Sequence, residues 1–190
     1  MVAWRLVIIL PVDEDLLVSI IEKASPIVVN INTVVLVQDA YMNVTPLQGI
    51  GSGIIIDPKG YILTNHHIVE TAQGMMVSMF DGTRLEGRLV GTDPMTDVAV
   101  IKVDTGKRNL PAAKLGDSDK IRVGHTAIAI GNPFGFMLRG PTATVGVISA
   151  LDRTIQAERG VFENLIQTDA HINPGNSQWM PQAPGRYARS

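Results

Sequence analysis

Short runs of β-branched and aliphatic residues, separated by single glycines or prolines, most constrain the fold of this chain. The 190 residues are 45% hydrophobic and 5% aromatic, with 18 glycines and 11 prolines. Val and Ile favour strands, whereas isolated Gly and Pro favour turns. Because no long helical period separates these runs, they predict an all-β barrel or sandwich.

The predicted elements are mostly short strands. A short helix is expected over 13–23, with Asp13 as its cap and Pro26 after its end. The strands that follow are predicted at 27–37, 49–56, 61–64, 75–80, 84–91, 98–103, 126–130, 142–150 and 165–168. Segment 109–119 is polar and turn-like, and we interpret it as the link between two halves. Residues 1–11 are interpreted as a clipped or altered leader, or as a strand.

Composition excludes several classes of function. The net charge is −2 and the isoelectric point is near 6.1, and no basic stripe is present, which argues against a nucleic-acid-binding surface. The chain has no cysteine, so neither a disulfide framework nor a thiolate metal site can form. The apolar stretch 6–10 is far shorter than the roughly 20 residues that a membrane-spanning helix needs.

Three separated segments carry the residue types of a nucleophilic site. A histidine pair, His66 and His67, is followed by Asp97 and then by Ser177, which stands in the turn Asn-Pro-Gly-Asn-Ser. A serine hydroxyl becomes a good nucleophile when an imidazole takes its proton and a carboxylate orients that imidazole. The order His, Asp, Ser is the one that chymotrypsin-like proteases use.

Two alternatives accompany this interpretation. Asp93 competes with Asp97, but it precedes a proline and is typical of a turn, whereas Asp97 leads directly into an apolar strand. A zinc site of His66, His67 and Glu70 is also conceivable, because residues three or four apart can share a helix face. That hypothesis lacks the two-histidine spacing of zinc hydrolase helices and a third ligand motif.

The segments around these residues resemble the HtrA/DegP family of trypsin-like serine proteases. The family pattern Thr-Asn-x-His-Val-Val matches 64–69 except that Ile68 replaces the first Val, Asp-Pro-x-Thr-Asp-x-Ala matches 93–99, and Gly-Asn-Pro-Phe-Gly matches 131–135. The resemblance covers about residues 13–177. It implies a short N-terminal helix and two β-barrels of the six-stranded type, the second incomplete in this chain.

The same resemblance assigns roles to individual positions. His67 takes the place of the general base, leaving His66 as a solvated neighbour, with Asp97 as its orienting carboxylate and Ser177 as the nucleophile. Gly175, Asn176 and Ser177 would form the oxyanion hole. His171 and Ile172 would line an apolar substrate pocket, and His171 stands where the family often has alanine. No metal and no cofactor are expected.

The resemblance also implies partners and a location. The substrates would be polypeptides, the assembly a homotrimer formed through N-terminal segments, and the compartment extracytoplasmic or the cell envelope. Segment 151–163 would be a loop that senses activation. The expected domains are a first barrel at 13–110 and a partial second barrel at 111–177.

The match ends at the serine. The family continues with Gly-Gly-Pro-Leu, whereas this chain has Gln178 and Trp179, and residues 178–190 are expected to be an atypical, frame-shifted or vector-like tail without a PDZ domain. Two hypotheses follow from this departure. One is an HtrA-type serine endopeptidase, in which truncation would weaken activity. The other is a proteolytically silent fragment that acts as a binding or oligomer-forming module.

Overall fold

The computed structural model describes residues 13–38, 42, 44–132, 140–157, 160–172 and 186–189. Helix α1, Glu14–Ala24, confirms the predicted N-terminal helix. The Asp13 carboxylate accepts a hydrogen bond from the Leu16 N–H at 2.9 Å and so caps the first turn. A single 3₁₀ turn, Ser25–Ile27, holds Pro26 and leads into the first strand. Within the described ranges, no helix has the length and apolar character to cross a bilayer.

Six antiparallel strands form a closed barrel, as the family resemblance implies. They are β1 (Val28–Gln38), β2 (Val44–Asp57), β3 (Tyr61–Thr64), β4 (Gly74–Ser78), β5 (Arg84–Asp93) and β6 (Val98–Val103). The hydrogen-bonded order is β1-β2-β3-β6-β5-β4, and β4 pairs with β1 to close the barrel. A one-turn helix α2, His66–Val69, follows β3.

Alternate residues of these strands fill the barrel. In β6 the side chains of Ala99, Ile101 and Val103 point inward and are at most 1% exposed, while the residues between them are partly exposed. The inward side chains that are equally buried in the other strands are Val29, Ile31, Ile55, Ile62 and Val77. The barrel interior is therefore built almost entirely from Val and Ile.

The second half of the chain forms a four-stranded sheet. Its strands are β7 (Thr126–Gly131), β8 (Thr142–Ala157), β9 (Gly160–Thr168) and β10 (Arg186–Arg189), in the order β10-β9-β8-β7. The incomplete second barrel that the family resemblance implies is thus a sheet in the described residues. Strand β10 is a finding of the structure, because the sequence predicts no strand after residue 168.

The prediction of a loop at 151–163 is wrong for most of that segment. Strand β8 continues to Ala157, and β9 begins at Gly160, so the two form a long antiparallel hairpin with several register shifts. Ile155, Phe162 and Leu165 are each at most 7% exposed and form a small core on the hairpin. Their burial stabilises strand pairing in a segment whose charged residues are typical of a solvent loop.

A cavity of about 520 Å³ lies where the barrel and the sheet meet. The sheet contributes Ile128, Ile130, Ile148 and Ile166 to its walls, and the barrel contributes residues of β2 and β3. Asn65 and Asp97 stand at the barrel side of this cavity, and Ile172 at the sheet side. The cleft therefore brings together residues far apart in the sequence.

Candidate active site

Helix α2 is held in place by its apolar residues. Ile68 is 9% exposed and Val69 is 3% exposed, so the short turn is anchored on the barrel. Gly51 of β2 makes room for this anchor, because a Cβ atom at that position would lie 2.8 Å from Cδ1 of Ile68. This packing leaves His66 and His67 at the start of the turn with defined directions.

His67 and Asp97 form a hydrogen-bonded pair. The Nδ1 atom of His67 lies 2.8 Å from Oδ2 of Asp97, and the backbone N–H of His67 donates to Oδ1 of the same carboxylate at 2.9 Å. Asp97 is 5% exposed. A carboxylate that accepts from Nδ1–H fixes the tautomer in which Nε2 can accept a proton.

The backbone of Asp97 adopts an unusual conformation. Its φ angle is +54°, in the left-handed region that residues other than glycine seldom adopt and that Asp tolerates better than most. Its carbonyl oxygen accepts from the His66 N–H at 3.1 Å and from Nδ2 of Asn65 at 3.2 Å. These contacts tie the start of β6 to the residues after β3.

His66 faces a different environment from His67. Its Nδ1 lies 2.5 Å from Oγ1 of Thr92, and its Nε2 lies 3.2 Å from Oε2 of Glu70. The His66 side chain is 14% exposed, so it is largely covered, and the expectation of a solvated neighbour is wrong.

The imidazole rings of His66 and His67 point in different directions, which argues against a shared zinc site. His67 turns toward Asp97, whereas His66 turns toward Glu70 and Thr92. Within the described ranges, His, Asp and Glu side chains form no cluster of three or more that could hold a metal ion. The proposed ligand set of His66, His67 and Glu70 is thus not assembled around one point.

Asp93 makes the contacts of a turn residue. Its Oδ1 accepts from the Met95 N–H at 3.0 Å, and its Oδ2 accepts from the hydroxyl of Thr96 at 2.6 Å. Both contacts are exposed. Asp93 thus shapes the loop that presents Asp97, and Asp97 is the carboxylate that contacts His67.

The segment that leads toward the serine is fastened to β8. The Val147 N–H donates to Oδ1 of Asp169 at 2.6 Å, and the hydroxyl of Thr168 donates to the Val147 carbonyl at 2.8 Å. Gly146 permits this approach, because a Cβ atom there would lie 2.7 Å from the Cα atom of Ala170. Residues 168–170 therefore have a fixed position against the sheet.

The two residues predicted to line a substrate pocket follow this segment. The His171 carbonyl accepts from the hydroxyl of Thr144 at 2.5 Å, and the His171 side chain is exposed. Ile172 is 8% exposed and lines the cleft that Asp97 also lines. Gly175, Asn176 and Ser177 lie outside the described residues.

Sequence reasoning missed Asn65 as a member of this site. Its Nδ2 lies 3.1 Å from Oδ2 of Asp97, the oxygen that also contacts His67. The only signal was its position in the motif at 64–69, because Asn is common before helices for other reasons. Its contact with Asp97 depends on the pairing of β3 with β6, which no local pattern reports.

The chain matches the family described as Trypsin-like peptidase domain over residues 51–177. It is 51% identical over 130 residues to a DegP-like periplasmic serine endoprotease of Pseudomonas putida, covering 68% of this chain and 26% of the relative. It is 49% identical over 130 residues to the periplasmic serine endoprotease DegP of Escherichia coli, covering 67% and 26%. The chain thus spans about a quarter of the length of these relatives.

Solved structures of HtrA-type proteases are also similar to this chain. The HtrA-type protease AlgW with a decapeptide aligns with a TM-score of 0.69 and 38% identity, covering 89% of this chain and 54% of that one. The crystal structure of Deg5 aligns with a TM-score of 0.71 and 36% identity, covering 95% and 82%. On the match of the family and of these relatives, the chain belongs to the HtrA/DegP family of trypsin-like serine proteases.

Proposed function

We propose that this chain carries the catalytic residues of a serine endopeptidase, with His67 as general base, Asp97 as its orienting carboxylate and Ser177 as nucleophile. The observation that carries the proposal is the pair of contacts from His67 to the buried Asp97 carboxylate, at 2.8 and 2.9 Å. Family membership supports the serine. Residues 168–170, which are fastened to β8, lie a few positions before Ser177 in the sequence, and Ile172, which follows them, lines the cleft.

The proposed reaction is acyl transfer in two halves. The Ser177 oxygen attacks the scissile carbonyl while its proton passes to Nε2 of His67, and the imidazolium is stabilised by Asp97. His67 then returns that proton to the departing amine, which leaves an acyl ester on Ser177. A water molecule attacks the ester with His67 again as base, and the carboxylic acid departs as Ser177 regains its proton.

The same proposal includes the oxyanion and substrate sites. Backbone N–H groups at Gly175 and Ser177, with Asn176 between them, would stabilise the negative oxygen of the tetrahedral intermediate. Ile172 would give the substrate pocket an apolar wall, which favours aliphatic side chains of the substrate. His171, which is exposed, would line the same pocket.

The biological role is inferred from relatives. The curated relatives are named periplasmic serine proteases, and we propose an extracytoplasmic setting for this chain as well. The proposed substrates are misfolded or signalling polypeptides, and the proposed assembly is a homotrimer. We assign the first barrel to 13–110, part of the second barrel to 111–177 and a separate segment to 178–190. No metal or cofactor takes part in the proposed reaction.

One observation favours the alternative function, a proteolytically silent binding or oligomer-forming module. Gln178 and Trp179 follow the serine, where the family pattern has two glycines. Large side chains beside an oxyanion hole restrict the tight turn that glycine permits. The residues before Ser177 are the same under both hypotheses, so they cannot decide between them.

Active-site labelling tests the proposal directly. A fluorophosphonate probe should modify Ser177 stoichiometrically in the folded chain, and Ser177→Ala should remove the label. Folded protein that takes up no label would favour the silent module. A double variant, Gln178→Gly with Trp179→Gly, extends the test, because it should label and cleave casein faster if these side chains obstruct the oxyanion hole.

A further inference from the structure

Asn65 occupies a capping position without acting as a cap. It stands directly before the one-turn helix α2, where an Asn side-chain oxygen ordinarily accepts a backbone N–H of the first turn. The Asn65 side chain makes no such bond. Its amide nitrogen donates instead to Asp97, to the carbonyl oxygen at 3.2 Å and to Oδ2 at 3.1 Å.

Asp97 accepts hydrogen bonds from the N–H groups at the start of α2, which the Asn65 side chain does not bond. The His67 N–H donates to Oδ1 of Asp97 at 2.9 Å, and the His66 N–H donates to the Asp97 carbonyl at 3.1 Å. Asp97 thus contacts the start of α2 through both its backbone and its side chain. This exchange of roles leaves the Asn65 amide pointing at the same carboxylate oxygen that contacts Nδ1 of His67.

We propose that Asn65 is a positioning residue that orients the Asp97 carboxylate toward His67, an inference that rests on the proposed function of the site. Rotation of the Asp97 carboxylate about its Cβ–Cγ bond would carry Oδ2 away from the imidazole. The Asn65 donor opposes that rotation. Its second contact, with the Asp97 carbonyl, supports the left-handed backbone at this residue.

The decisive property is the donor and not the shape of the side chain. Asn65→Asp keeps the shape, replaces both N–H groups with an oxygen and places a second carboxylate against Asp97. Asn65→Ala removes shape and donor together. If Asn65 only fills space, the Ala variant should lose more activity than the Asp variant. If Asn65 acts as a hydrogen-bond donor, the Asp variant should lose at least as much activity as the Ala variant. Asn65→Ser, with a shorter donor, should be intermediate.

The kinetic test compares kcat and KM for peptide hydrolysis by the whole chain. For Asn65→Ala and Asn65→Asp we expect kcat to fall about tenfold or more, as when a hydrogen bond to a charged group is lost. KM should change less than twofold, because Asn65 acts on His67 through Asp97. Asn32→Ala and Asn32→Asp are matched controls, because the Asn32 amide donates to Oδ1 of Asn30 and not to Asp97. They should leave kcat within about twofold.

Proton NMR makes the test independent of hydrolysis. The Nδ1–H proton of His67, hydrogen-bonded to Asp97, should resonate downfield of the amide protons in the parent chain and in the Asn32 controls. In folded Asn65→Ala and Asn65→Asp that resonance should move upfield or vanish through exchange. An unchanged resonance in both variants, or an Asp variant with the parent kcat, would overturn the proposal. Absence of hydrolysis in the parent chain would count against the proposed function alone.

Discussion

Within the described residues, every barrel strand from β1 to β6 pairs with a strand on each side, whereas the sheet ends at β7 on one side and at β10 on the other. The barrel encloses a core of fully buried Val and Ile side chains. In the part of the sheet that the structure describes, a small cluster is formed by Ile155, Phe162 and Leu165, and the other face lines the cleft. The barrel thus carries most of the packing energy, and the sheet supplies a wall to a site that the barrel positions.

This contrast also divides the proposed chemistry. His67 and Asp97 lie on the barrel, fixed by hydrogen bonds within one closed structure. Residues 168–170, which precede Ser177 in the sequence, are fastened to the sheet through Val147, and Gly146 leaves room for them. In the proposed mechanism, the barrel therefore orients the base and the sheet delivers the nucleophile.

The largest expected effect comes from breaking the barrel side of the site. His67→Ala and Asp97→Asn should lower hydrolysis and fluorophosphonate labelling by about 10⁴-fold, because the base is lost or set in the wrong tautomer. His66→Ala is the matched control and should retain more than half of the activity, since its ring faces Thr92 and Glu70. An equal loss in His66→Ala would contradict the assignment of the base.

The next largest effect is expected from a substitution in the sheet, at the wall of the cleft, that leaves His67 and Asp97 unchanged. Gly146→Ala adds a methyl group where Asp169 and Ala170 approach, and should lower kcat/KM by more than about tenfold as residues 169–172 are displaced. Gly74→Ala in β4 is the control, because nothing lies within 4 Å of a Cβ atom built there. Similar activity of these two variants would show that the wall need not be held by β8.

Substitutions in the barrel and in the sheet should also differ in how much they lower the free energy of unfolding. Ile101→Ala, in the fully buried barrel core, should lower the free energy of unfolding by about 2–5 kcal/mol. Ile128→Ala, at the cleft and only partly buried, should cost about 1 kcal/mol. Urea denaturation followed by circular dichroism measures both values. A larger loss from Ile128 would reverse the view that the barrel carries the packing.

The smallest effect concerns the β4–β5 turn of the barrel. The Thr83 N–H, then its hydroxyl, and Arg108 more weakly, hold the pKa of Asp81 below its ordinary value. A lowered folded pKa stabilises the protein above about pH 4, and this stabilisation is lost as the pH falls through the folded value. Asp81→Asn should therefore cost no more than about 0.5 kcal/mol at pH 7, given the exposure of the pair, and progressively less as the pH falls through the folded pKa. A difference that grows toward low pH would contradict this sign.

Local patterns predicted the barrel well. Strand β3 is found at the predicted residues, and α1 begins after Asp13 as its capping chemistry requires. Alternating burial along β6 follows from its alternating apolar residues. These features depend on neighbours in sequence, so the sequence reports them directly.

The hairpin of β8 and β9 shows where local patterns fail. Asp152 and Asn164 adopt left-handed backbone angles, with φ of +53° and +57°, on strands that contain register shifts. Residues of this kind suggest a loop when seen in sequence. The hairpin exists because Ile155 and Phe162 meet across it, and that meeting depends on pairing that the sequence does not display.

The sequence by itself determined the residue types of the candidate site, their order along the chain and the barrel-forming character of the strands. The family motif assigned His67 to Asp97, but only the tertiary structure shows that contact, turns His66 to Thr92 and Glu70, and brings Asn65 to Asp97. The physical reason is distance along the chain. A capping bond or a turn is set by residues a few positions apart, whereas Asn65 and His67 reach Asp97 only because β3 pairs with β6.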